Sequence, residues 1–229
     1  MNGRRTGRDE TVYKGDEVLV YARPSYSTHA VLYEDENVLA VDKKKGVESA
    51  ALFAELSAAR ELYFVHRLDR NTDGVLLFAK TKAAEAELLA AFKNRAFEKI
   101  YRAEVYGKFA EKEGILCDYL VKDAANARVK IHKTPVKGSV RVVTAYEVTE
   151  ERENSSVLAV RLVTGRTHQI RAHLAFYGHF VIGDGKYGKE SVNRAFGAKR
   201  QRLSAEKLVL HFHGGALAYL DGKTIERGN

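Results

Sequence analysis

One cysteine, one methionine, two prolines and no tryptophan occur in a chain of 229 residues. The lone cysteine, Cys117, excludes an intramolecular disulfide and points to a reducing compartment, the cytoplasm. It lies in the apolar run GILCDYL, where a small core residue is expected. So few prolines argue against long disordered linkers. No run reaches the roughly 18 apolar residues needed to cross a bilayer. The opening MNGRRTGRDE has no apolar stretch for a signal peptide. A soluble protein without a membrane partner is expected. No internal repeat or low-complexity segment is found.

What is present is charge. Lys and Arg number 38 against 30 Asp and Glu, a formal net charge of +8 with a pI near 9.4. Such a balance favours polyanionic partners, since basic side chains release counterions from a phosphate backbone. Hydrophobic residues make up 45%, enough for one substantial core or one main domain with an appendage.

Along the chain, NVLAVDKK alternates as a half-buried strand, and SAALFAELSAARE carries Leu52, Phe53, Leu56 and Ala59 at helical spacing. GVLLFAK is a continuous apolar run, the signature of a central strand. TKAAEAELLAAFKNR predicts an amphipathic helix opening at Thr81, with Leu88, Leu89 and Phe92 on one side. Strands follow at EKIYRAEVYG, ARVKIH, VRVVTAYEVT and SVLAVRLVT. A helix starts near Thr167 and stops at Gly178, and KLVLHFHGGALAYL is read as two further strands. The pattern is α+β: a mixed, largely antiparallel sheet core flanked by a few helices. Residues 1–23 read as a basic turn followed by a strand at EVLVYA, either a separate N-terminal segment or a tail adding an edge strand. The main domain is then 24–229.

Four stretches carry chemistry. VHRLDRNTDGVLLF sets His66, Arg67, Asp69, Arg70 and Asp73 between two apolar segments. A carboxylate there is costly unless a cation or hydrogen bonds compensate it, though Asp69 capping a turn is the plain reading. TGRTHQIRAHLA places Arg166, His168, Gln169, Arg171 and His173 at the start of a helix. Cations there oppose the helix dipole, a poor choice for stability and a good one for meeting phosphate or a buried carboxylate. In EKIYRAEVYG, Tyr101 shares the inner strand face with Ala103 and Val105. YEDENVLAVDKKKG ends in three lysines before Gly46. A metal site on His168, His173, His211 and His213 lacks the supporting cysteine or carboxylate spacing.

Taken together and in this order, these stretches resemble the RluA-type pseudouridine synthase family. The signature stands as His66, Arg67, Leu68, Asp69, then Thr72, Asp73, Gly74. The tyrosine motif stands at Lys99, Tyr101, Ala103, Val105 and Gly107; the late motif runs from Thr164 through Gly165, Arg166, His168, Gln169, Ile170 and Arg171 to His173. IGDGKYG (Ile182 to Gly188) and the pair Leu210–His211 also fit. The match covers about residues 30 to 220.

The resemblance implies isomerisation of uridine in ribosomal or transfer RNA, with no cofactor and no metal. It implies Asp69 as nucleophile, Arg171 as its ion-pair partner and Tyr101 as the group that stacks on the target base and serves in proton transfer. His66 and Arg67 would fill the gap left by a flipped nucleotide or grip phosphates, and Thr72, Arg166, His168 and Gln169 would join the RNA-binding set. RNA is the expected partner, and the chain is expected to act as a monomer. Residues 1–23 resemble the closing hairpin of the small alpha-L RNA-binding motif without its helices. Two departures stand out. Lys44 occupies the family's proline position in Lys43-Lys44-Lys45-Gly46, and Asp73 replaces a serine and is expected to point away from the pocket, capping the turn. A binding protein that has lost catalysis, and a metal-dependent hydrolase built on the histidines, are the competing classes.

Overall fold

The computed structural model describes residues 27–228 together with Thr11 and Gly15. The segment 1–23, its strand at EVLVYA and the boundary at residue 24 otherwise lie outside the described residues.

Two hairpin strands, β1 (His29–Glu34) and β2 (Val38–Lys43), are followed by helix α1 (Ser49–Ser57) and a short β3 (Tyr63–Phe64). Then come β4 (Asp73–Ala79), helix α2 (Lys82–Asn94) and β5 (Glu98–Tyr106). Strands β6 (Glu113–Asp123), β7 (Arg128–His132), β8 (Val140–Glu151) and β9 (Ser155–Leu162) lead to helix α3 (Gln169–Phe176). Helix α4 (Glu190–Ala195), β10 (Leu203–Val209) and β11 (Thr224–Glu226) close the described chain.

The strands form one sheet in the order β1-β2-β4-β10-β5-β9-β8-β6-β7, with β3 beside β4 and β11 beside β10. Every strand pair is antiparallel except β4 with β10. The expected α+β class with a mixed, largely antiparallel sheet is what forms.

Burial follows from the patterns. All seven residues of β4 are buried, because alternate side chains serve two cores. Val75 and Leu77 pack with Val38, Leu88 and Leu210 on one face. Leu76 and Phe78 pack with Leu39, Leu52 and Leu56 on the other. A third core, with Ala103, Leu158, Val160, Ile170 and Leu174, seats α3 on the sheet. Thr81 caps α2 by accepting the Ala84 N–H at 3.1 Å. Leu89, expected on the packed side of that helix, is 43% exposed.

Two expectations are corrected. Cys117 is exposed rather than core: strand alternation on β6 turns Asp118 and Leu120 inward, so Cys117 faces out. GGALAYL is not a strand. Gly214 and Gly215 take positive φ, the Glu87 carboxylate accepts the N–H groups of Ala216 and Leu217, and Ala218–Leu220 coils into a 3-10 turn.

The parallel seam between β4 and β10 depends on one glycine. Gly74 has φ +115°, and a Cβ there would lie 2.1 Å from the Ala205 carbonyl oxygen. Gly178 also has positive φ but nothing within 4 Å. Gly74→Ala is therefore expected to cost about 3 kcal/mol from overpacking plus backbone strain, lowering the thermal midpoint by roughly 6–12 °C. Gly178→Ala, with strain alone, should cost about 1 kcal/mol. Melting both variants by circular dichroism checks the ranking; equal shifts would refute the steric account of Gly74.

Candidate active site

The loop carrying Asp69 runs between β3 and β4 and is held by backbone contacts on both sides. The Leu68 side chain is buried in the α1 core. The Leu68 N–H donates to Ser49 Oγ and Ser49 Oγ donates to the Leu68 carbonyl, both at 3.0 Å. Below, the fully buried Lys43 ammonium donates to the carbonyls of Val47 at 2.9 Å, Lys44 at 3.3 Å and Arg70 at 3.3 Å. Burial pushes its pKa down to about 8, against the pull of Asp73, Asp69 and Asp42. The Thr72 N–H closes the turn on the Asp69 carbonyl at 3.0 Å.

Arg171 reaches Asp69 from α3. Its Nη1 donates to Asp69 Oδ2 at 2.8 Å, while Nε and Nη2 donate to the two oxygens of Asp184 at 2.6 and 2.9 Å. Asp184 is itself fixed by the N–H groups of Lys186 and Tyr187. Burial alone would strip charge from this arginine, but Asp184 and then Asp69 outweigh it and hold its pKa above the ordinary value. The same contacts hold the Asp184 carboxyl below its usual range despite burial.

Tyr101 faces the same cleft from β5, where it touches the α1 and α3 cores. Burial, and after it the charge of Asp69, raises its hydroxyl's pKa, so the ring keeps its proton. The cleft encloses about 500 Å³. Among the described residues Asp69 is the one lining carboxylate, facing Arg67, Lys93, Arg95, Lys99, Arg166 and Arg171. That charge pattern suits a polyanion whose reacting atom lies over Asp69.

The sequence-expected residues divide into two groups. Asp69, Tyr101, Arg171, Arg67, Arg166 and His168 meet in the cleft, with Arg67 and Arg166 exposed on its rim. Three others are committed to the fold, although His66 and Gln169 still line the cleft. His66 Nε2 accepts the Leu77 N–H at 2.9 Å, its ring lies 4.5 Å from that of Phe92, and burial followed by Lys99 pushes its pKa down to about 3. A neutral, occupied imidazole has no charge with which to grip phosphate. Thr72 is 2% exposed, and its hydroxyl accepts from Gln201 Nε2 at 2.6 Å, away from the cleft lining. Gln169 spends its whole amide internally, on Thr164 Oγ1, the Arg166 N–H, the Val143 carbonyl and Thr144 Oγ1. It shapes the loop that presents Arg166 and His168.

Asp73 does point away: Ser204 Oγ donates to it at 2.7 Å, and Arg227 and Lys45 pair with it. It secures the seam with β10 rather than capping the turn. Lys44 pairs with Asp42 at 2.8 Å. Asp184, Gln201 and Tyr187 were not singled out by the sequence reading. Asp184 and Tyr187 lie within the IGDGKYG stretch, whose buried aspartate between glycines was the available signal. Among the described residues no cluster of three or more His, Cys, Asp or Glu could hold a metal. No described helix is long and apolar enough to cross a membrane.

The sequence profile of a family described as RNA pseudouridylate synthase matches residues 37–176. Ribosomal large subunit pseudouridine synthase C of Vibrio parahaemolyticus serotype O3:K6 is 31% identical over 194 residues, covering 80% of this chain and 59% of that protein. Ribosomal large subunit pseudouridine synthase D of Blochmanniella floridana is 33% identical over 205 residues, covering 82% and 62% respectively. The chain thus spans about 60% of the length of these curated relatives. Among solved structures, human RNA Pseudouridylate Synthase Domain Containing 1 aligns with TM-score 0.76 at 25% identity, over 91% of this chain and 86% of that one.

The state of His66 has a measurable consequence. Below pH 6.5 the unfolded chain takes up a proton that the folded chain refuses until about pH 3. Stability is therefore lost as pH falls through that window, by up to ~1.4 kcal/mol per pH unit from this residue. Part of the ring edge lines the cleft, which makes this an upper bound. Urea unfolding at several pH values should show a shallower acid slope in His66→Gln; identical slopes would mean the histidine is not neutral and buried.

Proposed function

Because the chain belongs to the RNA pseudouridylate synthase family, we propose that it isomerises uridine in RNA to pseudouridine with Asp69 as the nucleophile. The observation that supports this most directly is the single carboxylate at the floor of a cleft lined by six cations. Arg171 engages only Oδ2 of Asp69, leaving Oδ1 free to attack.

The target nucleotide leaves its stack and enters the cleft, with Arg67 and Arg166 on the neighbouring phosphates. Asp69 Oδ1 bonds to C1′ of the ribose as the C1′–N1 bond breaks, and its electron pair departs on the uracil. The base turns, C5 bonds to C1′, and the bond to Asp69 breaks and restores the carboxylate. The C5 proton is then lost while N1, which kept the electron pair of the broken bond, takes up a proton, and the ring recovers its conjugated form. Throughout the first step Arg171 fixes the orientation of the carboxylate, which converts a collision into a near-attack arrangement. Tyr101 supplies the stacking face. Of the two causes that raise its pKa, the charge of Asp69 disappears while Asp69 is esterified. That charge is back before C5 releases its proton, so Tyr101 again stands protonated and serves as a relay, its oxygen accepting the C5 proton as its own proton is given up.

The curated relatives named above carry the large ribosomal subunit in their names, so a ribosomal uridine is the first candidate substrate and transfer RNA the second. All the steps use side chains of the chain, and the rate is expected to be insensitive to chelators.

The test is tritium release from RNA labelled at C5 of uridine, taken from cells that lack the modification. The wild-type protein should release tritium, and Asp69→Asn should lose roughly a thousand-fold or more of the rate while still binding RNA. Release by neither protein would leave RNA binding without catalysis as the better reading. Release by both would remove Asp69 from the nucleophile's role.

A further inference from the structure

The loop leading into α3 enters through His168, whose backbone is left-handed at φ 54° and ψ 17°. That conformation is uncommon for any residue but glycine, although histidine adopts it more readily than most. Its effect is to lay the imidazole over the nucleophile, with Nε2 3.9 Å from Asp69 Oδ2.

The other ring nitrogen is the informative one. His168 Nδ1 lies 3.0 Å from the Tyr187 hydroxyl, the two rings meeting edge to face at 5.6 Å. That hydroxyl already accepts the Val129 N–H at 2.9 Å. A phenol has one proton to give, and no other acceptor for it is found among the described residues. Its proton is thus available to Nδ1. A neutral imidazole that accepts at Nδ1 carries its own proton on Nε2. The Tyr187 ring is in turn packed against the Arg171 guanidinium, 5.3 Å from its centroid.

We propose that Tyr187 is a positioning residue that fixes His168 as the Nε2–H tautomer and so aims a neutral N–H donor at the Asp69 carboxylate. The idea rests on the isomerase reading of the site and adds to it a second donor directed at Oδ2. At 3.9 Å the contact is too long for a hydrogen bond. It becomes one when the ring advances by about 1 Å in the loaded cleft, as such contacts tighten on substrate binding. Arg171 and His168 then hold Oδ2 together, so that Oδ1 alone is presented to C1′. The same N–H stabilises the carboxylate as it is expelled from the sugar in the second half of the reaction. The groups facing the imidazole are Asp69, Arg171, Lys186, Asp184 and Tyr187. Burial first, with Arg171 and Lys186, disfavours its protonated form against the pull of Asp69 and Asp184.

The tautomer is read directly by long-range proton–nitrogen correlation on uniformly 15N-labelled protein without RNA. The wild-type protein should show His168 protonated at Nε2 and accepting at Nδ1, and Tyr187→Phe should lose that signature. A wild-type His168 protonated at Nδ1, or doubly protonated at neutral pH, overturns the proposal; this arm needs no variant to fold. Single-turnover tritium release then reads the consequence. Tyr187→Phe should slow the rate about five- to tenfold, the worth of one lost hydrogen bond, with RNA affinity unchanged. An unchanged rate, or a loss in affinity alone, also overturns it. If the wild-type protein releases no tritium, the isomerase reading fails while the nitrogen spectrum still decides the state of His168.

Discussion

A buried guanidinium between two carboxylates governs the arrangement of this molecule. Arg171 draws Asp69 from the loop before β4 and Asp184 from the segment after α3 onto one group. Such a triad is stable only while every charge keeps its partners, because removing one leaves another buried and uncompensated. The surrounding structure is consistent with that demand. Asp184 is secured by two backbone N–H groups, Asp69 sits on a loop pinned at Leu68 and Arg70, and α3 is packed through Ile170 and Leu174. The geometry at Asp69 thus depends on three distant segments being in register simultaneously.

The charge that makes the site habitable for Asp69 also gives the cleft its selectivity. A concave surface lined by six cations and one carboxylate has a positive potential over most of its area and a focused negative point at its floor. In the proposed reaction a polyanion meets the walls and the sugar of the flipped nucleotide meets the floor. Lys43 contributes from beneath without entering the cleft. Its ammonium is consumed by three carbonyls of the loops that flank Asp69, and burial lowers its pKa to about 8.

Much of this was legible in the residues. Apolar runs located β2, β4, β5 and β9. But β2, expected to be half-buried from its alternation, is buried along all six residues because α1 and α2 cover both faces of the sheet there. The family resemblance implied the pairing of Arg171 with Asp69, and the two meet at 2.8 Å. What local pattern could not reveal was where side chains spend their hydrogen bonds. His66, Thr72 and Gln169 stand inside the motifs yet donate to or accept from the fold itself, on Leu77, Gln201 and the Val143–Thr144 segment. Those partners lie 11 to 129 positions away. Asp184 escaped for the same reason: its partner is 13 residues back, across a helix. Cys117 and GGALAYL misled because strand parity and the capping of a turn by Glu87 are tertiary facts.

The strand order carries a consequence for how the molecule comes into being. β10 lies between β4 and β5, joined to the first in parallel and to the second antiparallel. A ribosome making this chain releases Asp69 and Tyr101 long before residues 203–209 can be threaded between their strands. Until then the two halves of the sheet have no shared edge, and the unpaired margins of β4 and β5 face each other across a gap. Non-local closure of this kind is slow relative to local hairpins. The nascent chain therefore holds Asp69 without the frame that aims it until residues 203–209 have been made and inserted.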